Sequence, residues 1–128
     1  MDLVGYSLLN VEEQKRRLEL LQEAVKATGT FTRIPKGVGL LPLPTGDGMA
    51  LVFFLDDPEA PLRCAIEIGR ELKRFPELGL RMGIHRGPVF RLDDINGNAN
   101  VAGAGINGAQ RVMDCGDAGH ISGFGTSR

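Results

Sequence analysis

Thr45-Gly46-Asp47-Gly48-Met49-Ala50-Leu51-Val52-Phe53-Phe54 is the stretch on which the fold turns. Gly46-Asp47-Gly48 has the chemistry of a tight turn. The six residues after it are almost entirely apolar, which predicts a strand buried on both faces. Upstream, Pro35, Gly37 and Gly39 break any regular helix, and Leu40 to Leu43 then reads as a short strand. The two strands form a β-hairpin with Gly46-Asp47-Gly48 at its tip.

Working outward toward the N-terminus, Asp2-Leu3-Val4-Gly5-Tyr6 reads as the end of a short strand entering a loop. Asn10 caps a helix over about Val11 to Thr28, with Glu13 as its reciprocal partner. Leu18, Leu21 and Val25 recur at helical spacing on one face. Glu12, Glu13, Lys15, Arg16 and Arg17 occupy the other, and Gly29 stops the helix.

Toward the C-terminus, Asp57 caps a second helix with Pro58 at its first position. It runs to about Arg74, with Leu62, Ala65, Ile66, Gly69 and Leu72 as its buried stripe. Leu78, Leu80, Met82 and Ile84 alternate with polar or small residues, the period of a strand. His85-Arg86-Gly87 turns the chain, and Pro88 to Leu92 returns as a strand. A Gly/Asn-rich loop covers 93–105, a helix Ile106 to Met113, and a last strand begins at Gly119. The order predicts an α/β (α+β) sandwich, a mixed and mainly antiparallel sheet with helices packed on it.

The chain of 128 residues suits one domain, and 42% hydrophobic against 24% charged residues argues against disorder. No apolar run is long enough to span a membrane. A net charge of −1 gives no case for a nucleic-acid partner. Cys64 and Cys115 form no Cys-x-x-Cys pattern and are too few for a disulfide scaffold, which points to a reducing cytoplasm. His85, His120 and Cys115 sit at element ends without partners at metal-ligand spacing.

Asp2 ends the first strand and Asp47 sits at the hairpin tip. If these strands are neighbours, the carboxylates converge, and two carboxylates with substrate phosphates make an ordinary Mg²⁺ site. Turn chemistry alone accounts for Asp47 equally well. Leu3, Val4, Gly5, Tyr6 and Ser7 follow Asp2, and backbone N–H groups there are candidates for holding phosphate. Asn107 and Arg111 are four apart, so they share one helix face. Arg111 can neutralise a reacting phosphate and Asn107 can hydrogen-bond a sugar. Such a pair is also common on a merely solvated face.

Four segments, taken in order, resemble the catalytic domain of class III nucleotidyl cyclases (adenylate and guanylate cyclases). They are Asp2-Leu3-Val4-Gly5-Tyr6-Ser7, Thr45-Gly46-Asp47-Gly48, Arg81-Met82-Gly83-Ile84-His85-Arg86-Gly87-Pro88-Val89, and Gly103-Ala104-Gly105-Ile106-Asn107-Gly108-Ala109-Gln110-Arg111. The wording is closest to bacterial cyclase-homology domains. The resemblance implies a ferredoxin-like core and a homodimer with shared active sites. It also implies two Mg²⁺ or Mn²⁺ ions held at Asp2 and Asp47. A nucleoside triphosphate, ATP or GTP, would become a 3′,5′-cyclic nucleotide and pyrophosphate. Asn107 would orient the ribose and Arg111 stabilise the transition state, both from the partner subunit.

The chain also departs from the family. The position of the adenine-reading lysine is Leu43, and that of its assisting aspartate is Asn100. Asp93 and Asp94 are out of register with that aspartate. Compared with the family, residues 1–128 form a single domain expected to be incomplete at both ends. A dimerising or nucleotide-sensing regulatory module of the same fold is the alternative expectation.

Overall fold

A computed structural model describes residues 1–114 and 121–124. The strands are β1 (Asp2–Leu3), β2 (Leu40–Thr45), β3 (Gly48–Phe53), β4 (Leu80–His85), β5 (Phe90–Asp93), β6 (Ala99–Ala102) and β7 (Ile121–Phe124). The helices are α1 (Val11–Lys26), α2 (Gly29–Arg33), α3 (Ala60–Glu71) and α4 (Ala104–Asp114). Five strands form one sheet in the order β2-β3-β1-β4-β7, antiparallel except for the parallel pair β4–β7. β5 and β6 form a separate antiparallel ribbon. The architecture is the expected α+β arrangement of helices on a mainly antiparallel sheet.

The hairpin forms as its sequence predicts, with Thr45 opposite Gly48. Pro42 and Pro44 lie in β2, which explains why it is an edge strand: proline has no N–H to give to a further neighbour. The main core lies on one face of the sheet. Leu3, Leu80 and Met82 meet Leu21 and Val25 of α1 and Cys64, Ala65 and Ile68 of α3. A smaller cluster on the other face joins Leu41 and Val52 to Val101 of the ribbon, with Ile106 of α4 packed against it.

Several boundaries differ from the sequence expectation. Asn10 does cap α1, accepting the Glu13 N–H at 2.8 Å. Glu13 does not reach back, because its carboxylate is held by Arg16 and Arg17, which pull its pKa down to about 2. Gly29 does not open a loop. Thr28 caps a new short helix there, its Oγ1 accepting the Phe31 N–H and donating to the Val25 carbonyl. α3 starts at Ala60 rather than Pro58, since Asp57 spends its carboxylate on the Glu59 N–H and on Arg63.

The buried stripe of α3 is Ala60, Cys64, Ala65 and Ile68, whereas Leu62 and Ile66 are exposed. Both stripes have helical spacing, and only the packing of α1 and the sheet chooses between them. Pro88 to Leu92 does not return along β4. It pairs instead with β6, a strand hidden within the Gly/Asn-rich stretch read as loop. Gly119, His120 and Cys115 lie outside the described residues. Among those described, no helix is long and apolar enough to cross a membrane.

Truncating Ile68, which is 1% exposed, removes packing from the centre of this core. Ile68→Ala should cost about 2–5 kcal/mol of unfolding free energy with an unchanged m-value, read by urea denaturation. Burial pushes the Cys64 thiol above its usual pKa. Cys64 should therefore resist alkylation in the native protein and react on unfolding, as followed by peptide mass mapping.

Candidate active site

β1 lies at the centre of the sheet and has only two residues. Asp2 stands opposite Gly48 of β3 on one side and Arg81 of β4 on the other. The Leu3 N–H donates to the Asp47 carbonyl at 2.8 Å, which ties the hairpin tip to the end of β1. Asp2, in β1, and Asp47, in the turn before the adjacent strand β3, therefore lie at the same end of the sheet.

Glycine at 48 is what permits this approach. A Cβ there would run into the Met1 carbonyl oxygen and lie 2.7 Å from the Asp2 Cα. Any larger residue would push β3 away from β1 and carry Asp47 with it.

Asp2 is 6% exposed, and a buried carboxylate needs a partner. Arg81 supplies it in a fork: Nε donates to Oδ1 at 3.1 Å and a terminal nitrogen to Oδ2 at 3.0 Å. The same guanidinium is 3.9 Å from Asp114 at the end of α4. Arg81 is the site residue that reading the sequence left unassigned. Its signal was its place in a period-2 strand, where side chains next to apolar core residues alternate onto the opposite face.

The loop after Asp2 divides in two. The N–H groups of Leu3 and Val4 are committed to the carbonyls of Asp47 and Gly79. Gly5 then takes a left-handed φ of 72°, which glycine adopts without strain, and the chain enters a single tight turn over Tyr6–Leu8. Gly5, Tyr6 and Ser7 keep their N–H groups outside the sheet ladder.

Asp2 and Asp47 offer hard oxygen donors, the right kind for Mg²⁺ or Mn²⁺. Among the described residues, no group of three or more acidic, histidine or cysteine side chains forms a protein-only cage. Two carboxylates by themselves suit only an ion that keeps other ligands, and in this structure Asp2 is held by Arg81.

Asn107 and Arg111 both lie on the exposed face of α4. Neither makes a hydrogen bond or ion pair with Asp2 or Asp47. α4 itself is pressed onto β4 at Gly83, where a Cβ would sit 2.8 Å from Met113 Cα. Leu43 is half-buried against the cluster of Leu41, Val52 and Val101. Asn100 accepts the N–H of the next residue, Val101, on its Oδ1 at 2.8 Å. Asp94 is taken up by the turn between β5 and β6, accepting the Asn96 and Asn98 N–H groups.

No protein-family model matches the chain, and no curated protein matches it. Solved structures do. The dimeric guanylyl cyclase domain of the RhoGC fusion protein from the aquatic fungus Blastocladiella emersonii is similar over 94% of this chain and 73% of its own, at 21% identity and a TM-score of 0.72. A monomeric double mutant of that domain superposes with a TM-score of 0.75 at 21% identity, over 94% of this chain and 73% of its own. The guanylate cyclase domain of RhGC from Catenaria anguillulae, in complex with GTP, gives a TM-score of 0.73 at 21% identity, over 94% of this chain and 72% of its own.

Removing Arg81 leaves a buried carboxylate unpaired. Discounted for the partial exposure of Arg81, Arg81→Ala should cost about 1–3 kcal/mol in urea denaturation. Adding Asp2→Asn should recover most of the loss, and an additive double mutant would refute the pairing. The fold that brings Asp2, Asp47 and Arg81 together is that of the class III cyclase catalytic domains.

Proposed function

We propose that this chain is a metal-dependent nucleotidyl cyclase domain that makes a 3′,5′-cyclic nucleotide and pyrophosphate from a nucleoside triphosphate for intracellular signalling. The observation that carries the proposal is the meeting of Asp2 and Asp47 at one sheet edge, beside the turn at Gly5–Ser7. The GTP complex of a protein of the same fold supports a nucleotide as the ligand. The non-canonical dimer formed by one domain of the same fold supports self-association in general, and the sharing of sites across a homodimer is part of the proposal. The domain acts in the cytoplasm.

Asp2 and Asp47 would hold two Mg²⁺ or Mn²⁺ ions, which when bound acidify the ribose 3′-hydroxyl and draw charge from the α-phosphate. The N–H groups of Gly5, Tyr6 and Ser7 hydrogen-bond phosphate oxygens. Arg81, once free of Asp2, offers its fork to the phosphates that leave. The 3′-oxygen bonds to the α-phosphorus as the bond from that phosphorus to the bridging oxygen breaks. Pyrophosphate departs, and the hydroxyl proton passes to solvent. Asn107 of the partner subunit orients the ribose, and Arg111 of the partner subunit neutralises charge that grows in the transition state. An exposed Asn/Arg pair with no partner at Asp2 or Asp47 in its own chain suits that division.

The base is ATP's or GTP's. Leu43 cannot hydrogen-bond it and Asn100 is turned to its own backbone, so the usual adenine contacts are lacking. Those two positions favour one second reading, a dimeric module that binds nucleotide without cyclising it.

A cyclase assay with Mn²⁺ and each of the four nucleoside triphosphates, with products separated by mass, tests the proposal. Cyclic product should vanish in Asp47→Ala and fall about 10²–10³-fold in Arg111→Ala. Mixing the two inactive variants should restore roughly a quarter of the wild-type rate, since half the dimers would carry one intact shared site. Metal-dependent binding without product would select the second reading. Neither product nor binding would refute both.

A further inference from the structure

The two faces of β4 differ. Leu80, Met82 and Ile84 turn toward the main core. The alternate positions turn toward α4, as the period of a strand requires. The helix runs back along that row. Arg81 lies 3.9 Å from Asp114. A Cβ on Gly83 would meet the Ala109 carbonyl oxygen at 2.5 Å, and one on Gly87 would lie 2.9 Å from the Gly105 Cα. Between the two glycines stands His85, with its imidazole under Gly108. A Cβ on Gly108 would overlap ring atoms Cδ2 and Nε2 and lie 2.8 Å from Cγ. The ring is thus seated in a notch that glycine leaves in the helix.

Contacts through Gly83 and Gly87 bring backbone against backbone, with no side chain from the strand to oppose a shift of the helix. At its two ends the helix is held by the Gly105 N–H on the Pro88 carbonyl at 3.0 Å and by the long Arg81–Asp114 contact. In the middle, a ridge on the strand enters a hollow on the helix, and a close-packed ridge resists both sliding and tilting. The imidazole is half-buried, and its Nδ1 is shielded from solvent. Gly108 is buried and directly follows Asn107, while Arg111 comes three residues later. Both of those exposed side chains take their place from the helical turn that His85 holds.

We propose that His85 is a positioning residue for α4, its imidazole a steric peg that sets how Asn107 and Arg111 are presented to the partner subunit. This role rests on the cyclase reading of those two residues. His85 touches no reacting atom in it and acts through geometry alone. A helix that slips by one residue moves about 1.5 Å along its axis. Misplacing a positioned group by about 1 Å can cost on the order of 10²-fold in rate. The loss falls on kcat more than on KM, because Arg111 acts on charge that grows in the transition state.

The test uses the whole chain. His85→Ala should lower kcat about 10–100-fold and move KM by less than about threefold. His85→Gln, close to histidine in volume and flat at its end, should keep at least about a third of the wild-type rate. Mixing variants locates the defect. His85→Ala with Asp47→Ala should recover roughly a quarter of the wild-type rate, since one shared site then has both carboxylates and an undisturbed α4. His85→Ala with Arg111→Ala should recover no more than either alone, because every site then has a damaged α4. The reverse pattern places the defect on the carboxylate side and overturns the proposal, as does a wild-type rate in His85→Ala. A readout without nucleotide separates this from failure of the cyclase reading. In His85→Ala, hydrogen exchange at the amides of Ala109 and Met113 should quicken at least about tenfold more than at Ala24 and Val25, which are buried in α1. An equal change in both helices overturns the peg. Faster exchange confined to α4, in a chain whose wild type makes no cyclic nucleotide, supports the peg and refutes the cyclase reading. If His85→Ala fails to fold, Gly108→Ala decides. Its methyl runs into the ring and displaces α4 although alanine favours helix over glycine, and it should give the same mixing pattern.

Discussion

The approach of β1 to Gly48 is the constraint on which the site depends. A two-residue strand has few hydrogen bonds with which to hold its place, and here it is clasped from both sides. Glycine removes the one Cβ that would keep β1 and β3 apart. The result joins two acidic residues that are 45 positions apart in the chain. Neither carboxylate is carried by a helix or a long loop, so their spacing is set by the strand separation itself.

Charge then determines how the site rests. A carboxylate as buried as Asp2 is costly unless paired, and a forked guanidinium is the best single-residue answer available to a protein. Arg81 occupies the register position directly across from Asp2, so the pair needs no side-chain excursion to form. Arg81 is itself partly exposed and also close to Asp114, but its release would leave the buried Asp2 unpaired unless another cation took its place.

α4 contributes in a different way. Its inner face is pressed against β4 by glycine at the contact, and its outer face leaves Asn107 and Arg111 in solvent. The side chains best suited to ribose and phosphate are thus held on a rigid element but offered outward. Leu43 packs against the apolar cluster of Leu41, Val52 and Val101, while Asn100 accepts the Val101 N–H.

Local chemistry made much of this legible in advance. The Gly-Asp-Gly turn, the Asn10 cap and the alternation of Leu80, Met82 and Ile84 each rest on backbone preferences acting over a few residues, and each appears as expected. The pairing of β1 with the hairpin was only a condition in the sequence, and the register of Asp2 opposite Gly48 meets it. What the sequence left open was every choice between equivalent local options. α3 carries two apolar stripes of equal periodicity, and only the neighbouring α1 and sheet bury Ala60, Cys64, Ala65 and Ile68 in preference to Leu62 and Ile66. Phe90 to Asp93 could pair on either side, and in the fold it pairs with β6. The grip of Arg81 on Asp2 arises from register between residues 79 positions apart. Long-range register depends on burial and excluded volume, and no short window of sequence contains either.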